Sequence, residues 1–335
     1  MNAASSQAGG PGSKSRLRPD ENYFPVSPDT LNPNALTDFQ VYLKRGGRYV
    51  LYTRERQYFT VELRERLIAN GIETVYIPYH QQRAYESYVF DNLEWILGDC
   101  AIPVAVRSKV FLDTTAKQVQ TIFNEKLPSL DAGTLNGVHH VVESSLGFLS
   151  TPEAMKNIGQ FISHDYQSFS HSVHVFTYTM MLMQHLAGDR PRETLIDVGV
   201  GALLHDIGKV HIPSAILQKP GKLNADEWLQ IKRHPAHGMR MCTSITMPQM
   251  SLNCILFHHE KADGTGYPTG MSEAEIPLPV RIITCCDVYD AITSKRPYAP
   301  ASTPFEALKI MSEEMQGAFD PEVFRAFIKV LGKGN

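Results

Sequence analysis

Residues 195–209 read Leu-Ile-Asp-Val-Gly-Val-Gly-Ala-Leu-Leu-His-Asp-Ile-Gly-Lys, apolar on nearly every side of a helix until His205, Asp206 and Lys209. A helix without a polar face belongs in a core. A carboxylate placed there is costly unless it is paired or bound to a metal. Histidine and aspartate are both ligands for divalent first-row metals. A lone His-Asp dipeptide is more often a structural pair than a site. The distribution of the other histidines reverses that reading.

Ten of the thirteen histidines lie between His164 and His259. His164, His171 and His174, spaced by seven and three residues, share roughly one helical face. His205-Asp206 comes next, then His234, whose neighbour Pro235 disfavours helical geometry at the residue before it. His258-His259-Glu260 joins a glycine-rich turn, Lys261-Ala262-Asp263-Gly264-Thr265-Gly266-Tyr267-Pro268, and Asp287 stands in an apolar helix with Asp290 one turn on. Five histidines and two aspartates from these places form a ligand set for two cations. Nitrogen and oxygen donors suit iron, manganese or a similar ion, and no cysteine is placed to make a structural zinc site. Two-metal sites hold their ions roughly 3.5–4 Å apart, generate a hydroxide and clamp a phosphoryl centre. Asp206, flanked by His205, is the natural bridging carboxylate.

The 335 residues leave room for about two domains, and 43% hydrophobic with 20% charged residues is ordinary for a chain with a core. A net charge of -3 gives no argument for a nucleic-acid polymer as partner. Five cysteines without CxxC spacing fit reduced thiols in a cytoplasm, and no apolar run is long enough for a membrane span.

Residues 1–22, rich in Ser, Gly, Pro and charge, are expected to be disordered. Phe39, Val41 and Leu43 alternate with polar residues up to Gly46-Gly47, and Tyr49, Leu51 and Tyr52 come after, which predicts a β-hairpin. A helix over Val61 to Ala69, stopped by Asn70-Gly71, and a strand over Thr74 to Ile77 complete a small β-β-α-β unit. Its cations Lys44, Arg45, Arg48, Arg54 and Arg56 read as a solvated face rather than an anion site. A helix begins within Tyr85 to Leu97, helices fill 103–150 around a break at Asp131-Ala132-Gly133, and the adjacent His139-His140 is an exposed or capping pair rather than a metal site. From Pro152 the chain is helical nearly to its end, with loops at Gly188–Arg192, Pro213–Gly221 and Asp263–Pro279.

The motif Leu204-His205-Asp206-Ile207-Gly208-Lys209 is succeeded by Ile212-Pro213, Lys219-Pro220-Gly221-Lys222-Leu223 and His234-Pro235. HHEKADGTGYP (258–268), Ile276-Pro277, Arg281, Asp287-Val288-Tyr289-Asp290-Ala291 and Arg296-Pro297-Tyr298 complete the series. In order and spacing these resemble the HD-GYP family, a bacterial branch of the HD-domain metal-dependent phosphohydrolases. The likeness covers about residues 153–330 and leaves 1–150 uncovered. It implies an all-α HD-GYP domain over 151–335; with the helical connector over 101–150 and the small α/β domain over 23–100 read from the residues themselves, the chain is α+β, and the position of the small domain ahead of the enzymatic part suggests a sensory or docking role.

The resemblance implies hydrolysis of the bacterial second messenger cyclic di-GMP to linear pGpG or on to GMP, with two divalent ions, iron first and manganese second. His171, His205 and Asp287 would serve one ion and His234, His258 and His259 the other, with Asp206 bridging. His171 is preferred to His174 on motif position. Lys209 would face the scissile phosphate, and Tyr267, within Gly266-Tyr267-Pro268, would contact the nucleotide together with Arg296. Three departures stand out: Gln167 where some members place a third-metal Glu, Ala299 where many have a basic residue, and Ala262 where an aromatic is frequent. A second reading is a low-turnover cyclic di-GMP receptor or scaffold that meets a diguanylate cyclase or other signalling protein through the Gly-Tyr-Pro turn. A third changes the substrate to a mixed cyclic GMP–AMP dinucleotide. The connector offers a surface for a homodimer, without a sustained heptad to demand one.

Overall fold

A computed structural model describes residues 22–124, 129–161, 168–186, 188, 190–294 and 301–332. The expected disordered segment, save Asn22, lies outside these residues, as do His164, Gln167, Arg296 and Ala299. The chain divides into two compact units, Met1–Tyr88 and Val89–Asn335.

In the first unit, β1 (Tyr23–Val26), β2 (Leu36–Thr37), β3 (Val41–Arg45), β4 (Arg48–Thr53) and β5 (Gln57–Tyr58) precede helix α1 (Val61–Ala69) and β6 (Val75–Pro78). A four-stranded antiparallel sheet runs β1-β6-β3-β4, and β2 pairs with β5. Gly46 and Gly47 take φ of +54° and +75°, which a two-residue hairpin turn with the twist of its strands requires. Period-two alternation buries Val41 and Leu43 of β3 with Val75 and Ile77 of β6. Thr60 caps α1 by accepting from the Leu63 amide, and the helix buries Leu67. The cations Lys44, Arg45, Arg48, Arg54 and Arg56 are all exposed.

Helix α2 (Gln82–Asp91) carries the chain on to α3 (Leu93–Gly98), α4 (Val104–Asn124), α5 (Ala132–Leu149) and α6 (Pro152–Phe161). Then come α7 (Ser168–Leu186), α8 (Arg192–Leu204), a 3-10 turn (Ile207–His211), α9 (Ser214–Leu217), α10 (Ala225–Ile231), α11 (His234–Met241) and α12 (Gln249–Phe257). A long loop leads to α13 (Leu278–Thr293), α14 (Pro304–Glu313) and α15 (Pro321–Gly332).

Helix α8 is the axis of the second unit, buried from Val198 to Leu204. A Cβ on Gly199 would lie 2.6 Å from Val142 of α5 and 2.9 Å from Phe176 of α7, and one on Gly201 would lie 2.5 Å from Cys254 of α12. The bare backbone at these two positions lets α8 pack against three helices at once. That is why its sequence has no polar face.

Several details differ from the sequence reading. The helices of the supposed connector are part of the same core: Phe111, Val119 and Ile122 of α4 and Val138, Val141 and Val142 of α5 are buried with Phe176, Val200 and Ile283. The division between units accordingly falls at Tyr88 rather than near residue 100. His234 is the first residue of α11, because proline fits a helix's first turn, where its missing N–H is not needed. Within the expected loop 213–221, Ser214–Leu217 forms the single helical turn α9. His139 and His140 are half-buried rather than exposed, and His140 Nε2 bonds the Phe90 carbonyl at 2.8 Å. Asp131, in the polar break, caps α5 through the Thr134 amide at 2.7 Å.

Candidate metal centre

Five helices deliver seven side chains to one place. Helix α7 brings His171, the end of α8 brings His205 and Asp206, α11 opens with His234, α12 ends at His258 with His259 next, and α13 brings Asp287. They fall into two groups, His171-His205-Asp287 and Asp206-His234-His258-His259, with the ligand atoms of each within 4.8 Å of one another.

Asp206 faces both groups with different oxygens. Its Oδ2 lies 3.5 Å from His171 Nε2 and 3.5 Å from His205 Nε2, while its Oδ1 lies 3.2 Å from His234 Nε2 and 3.8 Å from His258 Nε2. Asp287 Oδ1 stands 3.0 Å from His171 Nε2, and its Oδ2 stands 3.5 Å from His259 Nδ1.

The histidines are oriented by local geometry. The Nδ1 atoms of His205, His234 and His258 lie 2.7, 2.8 and 2.9 Å from the carbonyls of Ala202, Ile231 and Ile255, each three residues earlier. Carbonyls at a helix end lack intrahelical partners, and an imidazole N–H satisfies one of them. A proton on Nδ1 leaves the Nε2 lone pair directed into the centre. His171 is held otherwise, its Nδ1 2.7 Å from Asp290 Oδ2. His174 bonds the other oxygen of Asp290 at 2.8 Å and does not belong to either ligand group.

Burial lowers the pKa of His205 and His258, and that of His259 to about 3, so these rings are neutral bases at pH 7. Burial alone would raise the Asp206 pKa, but Lys209, His205 and His234 outweigh it and hold the carboxyl well below its usual range. For Asp287, His171 and His259 likewise outweigh burial. The Lys209 ammonium is in direct contact with Asp206 Oδ2.

The donor set fits divalent cations. Among the described residues His205 Nε2 is buried without a hydrogen-bond partner, its nearest carboxylate oxygens 3.5 and 4.0 Å away. A buried, partnerless imidazole nitrogen is a costly arrangement that metal ligation relieves. Cys254, Cys285 and Cys286 are buried on neighbouring helices and belong to neither group.

The glycine-rich turn is organised by Glu260, a residue to which the sequence alone assigns no part. Its buried carboxylate accepts from the Thr269 amide and hydroxyl at 2.7 Å each and from the Gly270 and Met271 amides at 3.1 Å. A loop with several amides and no regular ladder needs an acceptor, which is the signal that could have found it. A Cβ on Gly266 would lie 2.5 Å from Glu260 Cα and Lys261 N, so only glycine lets the loop fold back on the histidine segment. Tyr267 next to it stacks on His259, with ring centroids 4.7 Å apart, and donates its amide to the His259 carbonyl at 3.2 Å; Pro268 closes the turn. Arg296, the other expected nucleotide contact, lies outside the described residues.

A family model described as HD domain matches residues 159–323, the segment that carries all seven side chains. The chain belongs to the HD-domain family. Its Gly266-Tyr267-Pro268 turn and paired histidines put it in the HD-GYP branch. Over 236 residues this HD-GYP chain is 37% identical to a Pseudomonas aeruginosa protein named a cyclic di-GMP phosphodiesterase, covering 69% of this chain and 56% of that one. Over 162 residues it is 42% identical to the 3'3'-cGAMP-specific phosphodiesterase 3 of Vibrio cholerae, covering 48% of this chain and 35% of that one. The chain thus spans 56% and 35% of the lengths of these two relatives. Among solved structures, a Bdellovibrio bacteriovorus protein described as an HDG"Y"P protein shares the fold, with a TM-score of 0.62 at 21% identity over 93% of this chain and 100% of that one. No helix among the described residues is long and apolar enough to cross a membrane.

Proposed function

We propose that this HD-GYP chain hydrolyses cyclic di-GMP to pGpG or GMP at a dinuclear centre. His171, His205 and Asp287 would hold one ion and His234, His258 and His259 the other, with Asp206 shared. The observation that carries the reading is the splitting of the two Asp206 oxygens, Oδ2 toward His171 and His205 and Oδ1 toward His234 and His258. One carboxylate spanning two sets of imidazoles is what a pair of adjacent cations requires. Two divalent ions bound there supply Lewis acidity and a water nucleophile at neutral pH.

The protein's own contribution is orientation and charge. The carbonyl-anchored imidazoles are pre-set, so no side chain reorganises as the reaction proceeds. Lys209, in contact with Asp206 and 15% exposed, keeps that carboxylate ionised and offers a cation where charge grows on the phosphoryl oxygens. Tyr267 braces His259 at the open edge.

Protein purified without oxygen, with metal analysis and cyclic di-GMP turnover on one sample, tests the proposal. About two metals per chain with hydrolysis lost in Asp206→Ala supports it. Two metals and binding without product would make the chain a receptor and overturn the catalytic reading. The likeness to a cGAMP-specific enzyme favours one further substrate, a mixed cyclic GMP–AMP dinucleotide, which a substrate panel on the same sample resolves.

A further inference from the structure

The ligand groups open to solvent at one edge. His259 has a side chain 24% exposed, whereas Asp206 and Asp287 are at 1% and 8%. Outward from His259 comes the Tyr267 ring, stacked on the imidazole, and 5.3 Å from that ring's centroid stands Lys232 Nζ. Lys232 caps the end of α10, its amide donating to the Trp228 carbonyl at 2.9 Å. It precedes His234 by two residues, so its backbone is fixed relative to the centre.

Lys209, the lysine at the centre itself, is committed to a carboxylate, that of Asp206. Lys232 rests on an aromatic face instead. Such a contact holds an ammonium near the surface only weakly, and among the described residues no carboxylate is paired with Lys232. A cyclic dinucleotide carries two phosphodiesters on opposite sides of one macrocycle. Cations in the two ligand groups would face the one being cleaved, and the other would remain anionic at the mouth.

We infer that Lys232, held over Tyr267, receives the phosphodiester that is not being cleaved, and so separates cyclic dinucleotides from simple phosphodiesters. Tyr267 is then a positioning residue for both Lys232 and His259. The inference rests on the catalytic reading of the centre proposed above.

The test compares cyclic di-GMP with bis(p-nitrophenyl) phosphate, which has a single phosphodiester, in wild type, Lys232→Gln and Lys232→Arg of equal metal content. An exposed ion pair is worth up to about 1 kcal/mol, or about fivefold. Lys232→Gln should raise KM for cyclic di-GMP about fivefold, leave kcat within about twofold and lower the ratio of kcat/KM between the two substrates by a similar factor. Lys232→Arg should restore the ratio, since it keeps the charge. An unchanged ratio, or a parallel loss on both substrates, overturns the inference. If the metal-loaded wild type binds cyclic di-GMP without cleaving it, the catalytic reading has failed instead. Equilibrium dialysis then tests Lys232 alone, and equal affinity in wild type and Lys232→Gln overturns the inference.

Discussion

Gly208→Ala adds one methyl group where two helical segments cross. The new Cβ would stand 2.5 Å from the Gly238 amide nitrogen and closer still to the His234 carbonyl oxygen. Both are backbone atoms of α11, so no rotamer change relieves the overlap. Comfortable contacts begin at about 3.5 Å, so α11 must retreat by about 1.5 Å. Overpacking of this kind costs about 1–3 kcal/mol. Taking about 3 kcal/mol, and about 2–4 °C per kcal/mol for a unit of this size, Tm should fall by about 6–12 °C. The displacement also draws His234 away from Asp206 Oδ1, 3.2 Å distant, and from His258 Nε2, 3.1 Å distant. Ligand distances tolerate only about 0.2 Å, so the His234 group should lose its ion and metal content should drop by about one per chain. Differential scanning fluorimetry and metal analysis on one preparation read both effects. Gly147→Ala is the control: its Cβ meets nothing within 4 Å in α5, and it should raise Tm slightly, by about 0.5–1 kcal/mol in helix propensity. A Gly208→Ala protein that melts with the wild type and keeps its metal would refute the predicted clash with α11.

Two further substitutions probe the supports of the centre. Glu260→Gln leaves the size of the side chain but removes the charge that gathers the Thr269, Gly270 and Met271 amides; it should cost about 1.5–3 kcal/mol and speed hydrogen exchange at those amides, and unchanged exchange would deny Glu260 its organising part. Asp290→Asn takes from His171 the carboxylate that orients it. Metal affinity of the His171 group should fall about 10–100-fold while that of the His234 group holds, and competition with a chelator that shows equal losses at both would contradict the division into two groups.

Much of the centre was legible because its residues sit in short local patterns. The all-apolar run before His205 declared a buried helix, and the paired histidines beside a glycine-rich turn declared a site. The hairpin was readable from Gly46-Gly47 between alternating strands. What escaped needed the third dimension. Helical spacing alone does not tell His171 from His174, and motif position had to favour His171: both meet Asp290, and the approach of α8 is what brings His171 also to Asp206. Glu260 comes directly after two ligands in sequence, yet its carboxylate turns to backbone amides from residues 269–271. The helices over 104–124 and 132–149 looked like a connector because their apolar faces give no hint of what they cover.

The anchoring of three imidazoles to helix-end carbonyls three residues before them bears on how such a centre can change. The tips of His205, His234 and His258 travel with the helical backbone three residues before them rather than with flexible loops. Exchanging one ligand at a time is therefore a poor route to a different ion, because the remaining donors cannot close in or spread apart to suit its radius. The spacing of the helices is the adjustable quantity, and it is set by contacts such as Gly201 against Cys254. A laboratory selection for altered metal preference should collect its substitutions there, in apolar positions that never touch the ion.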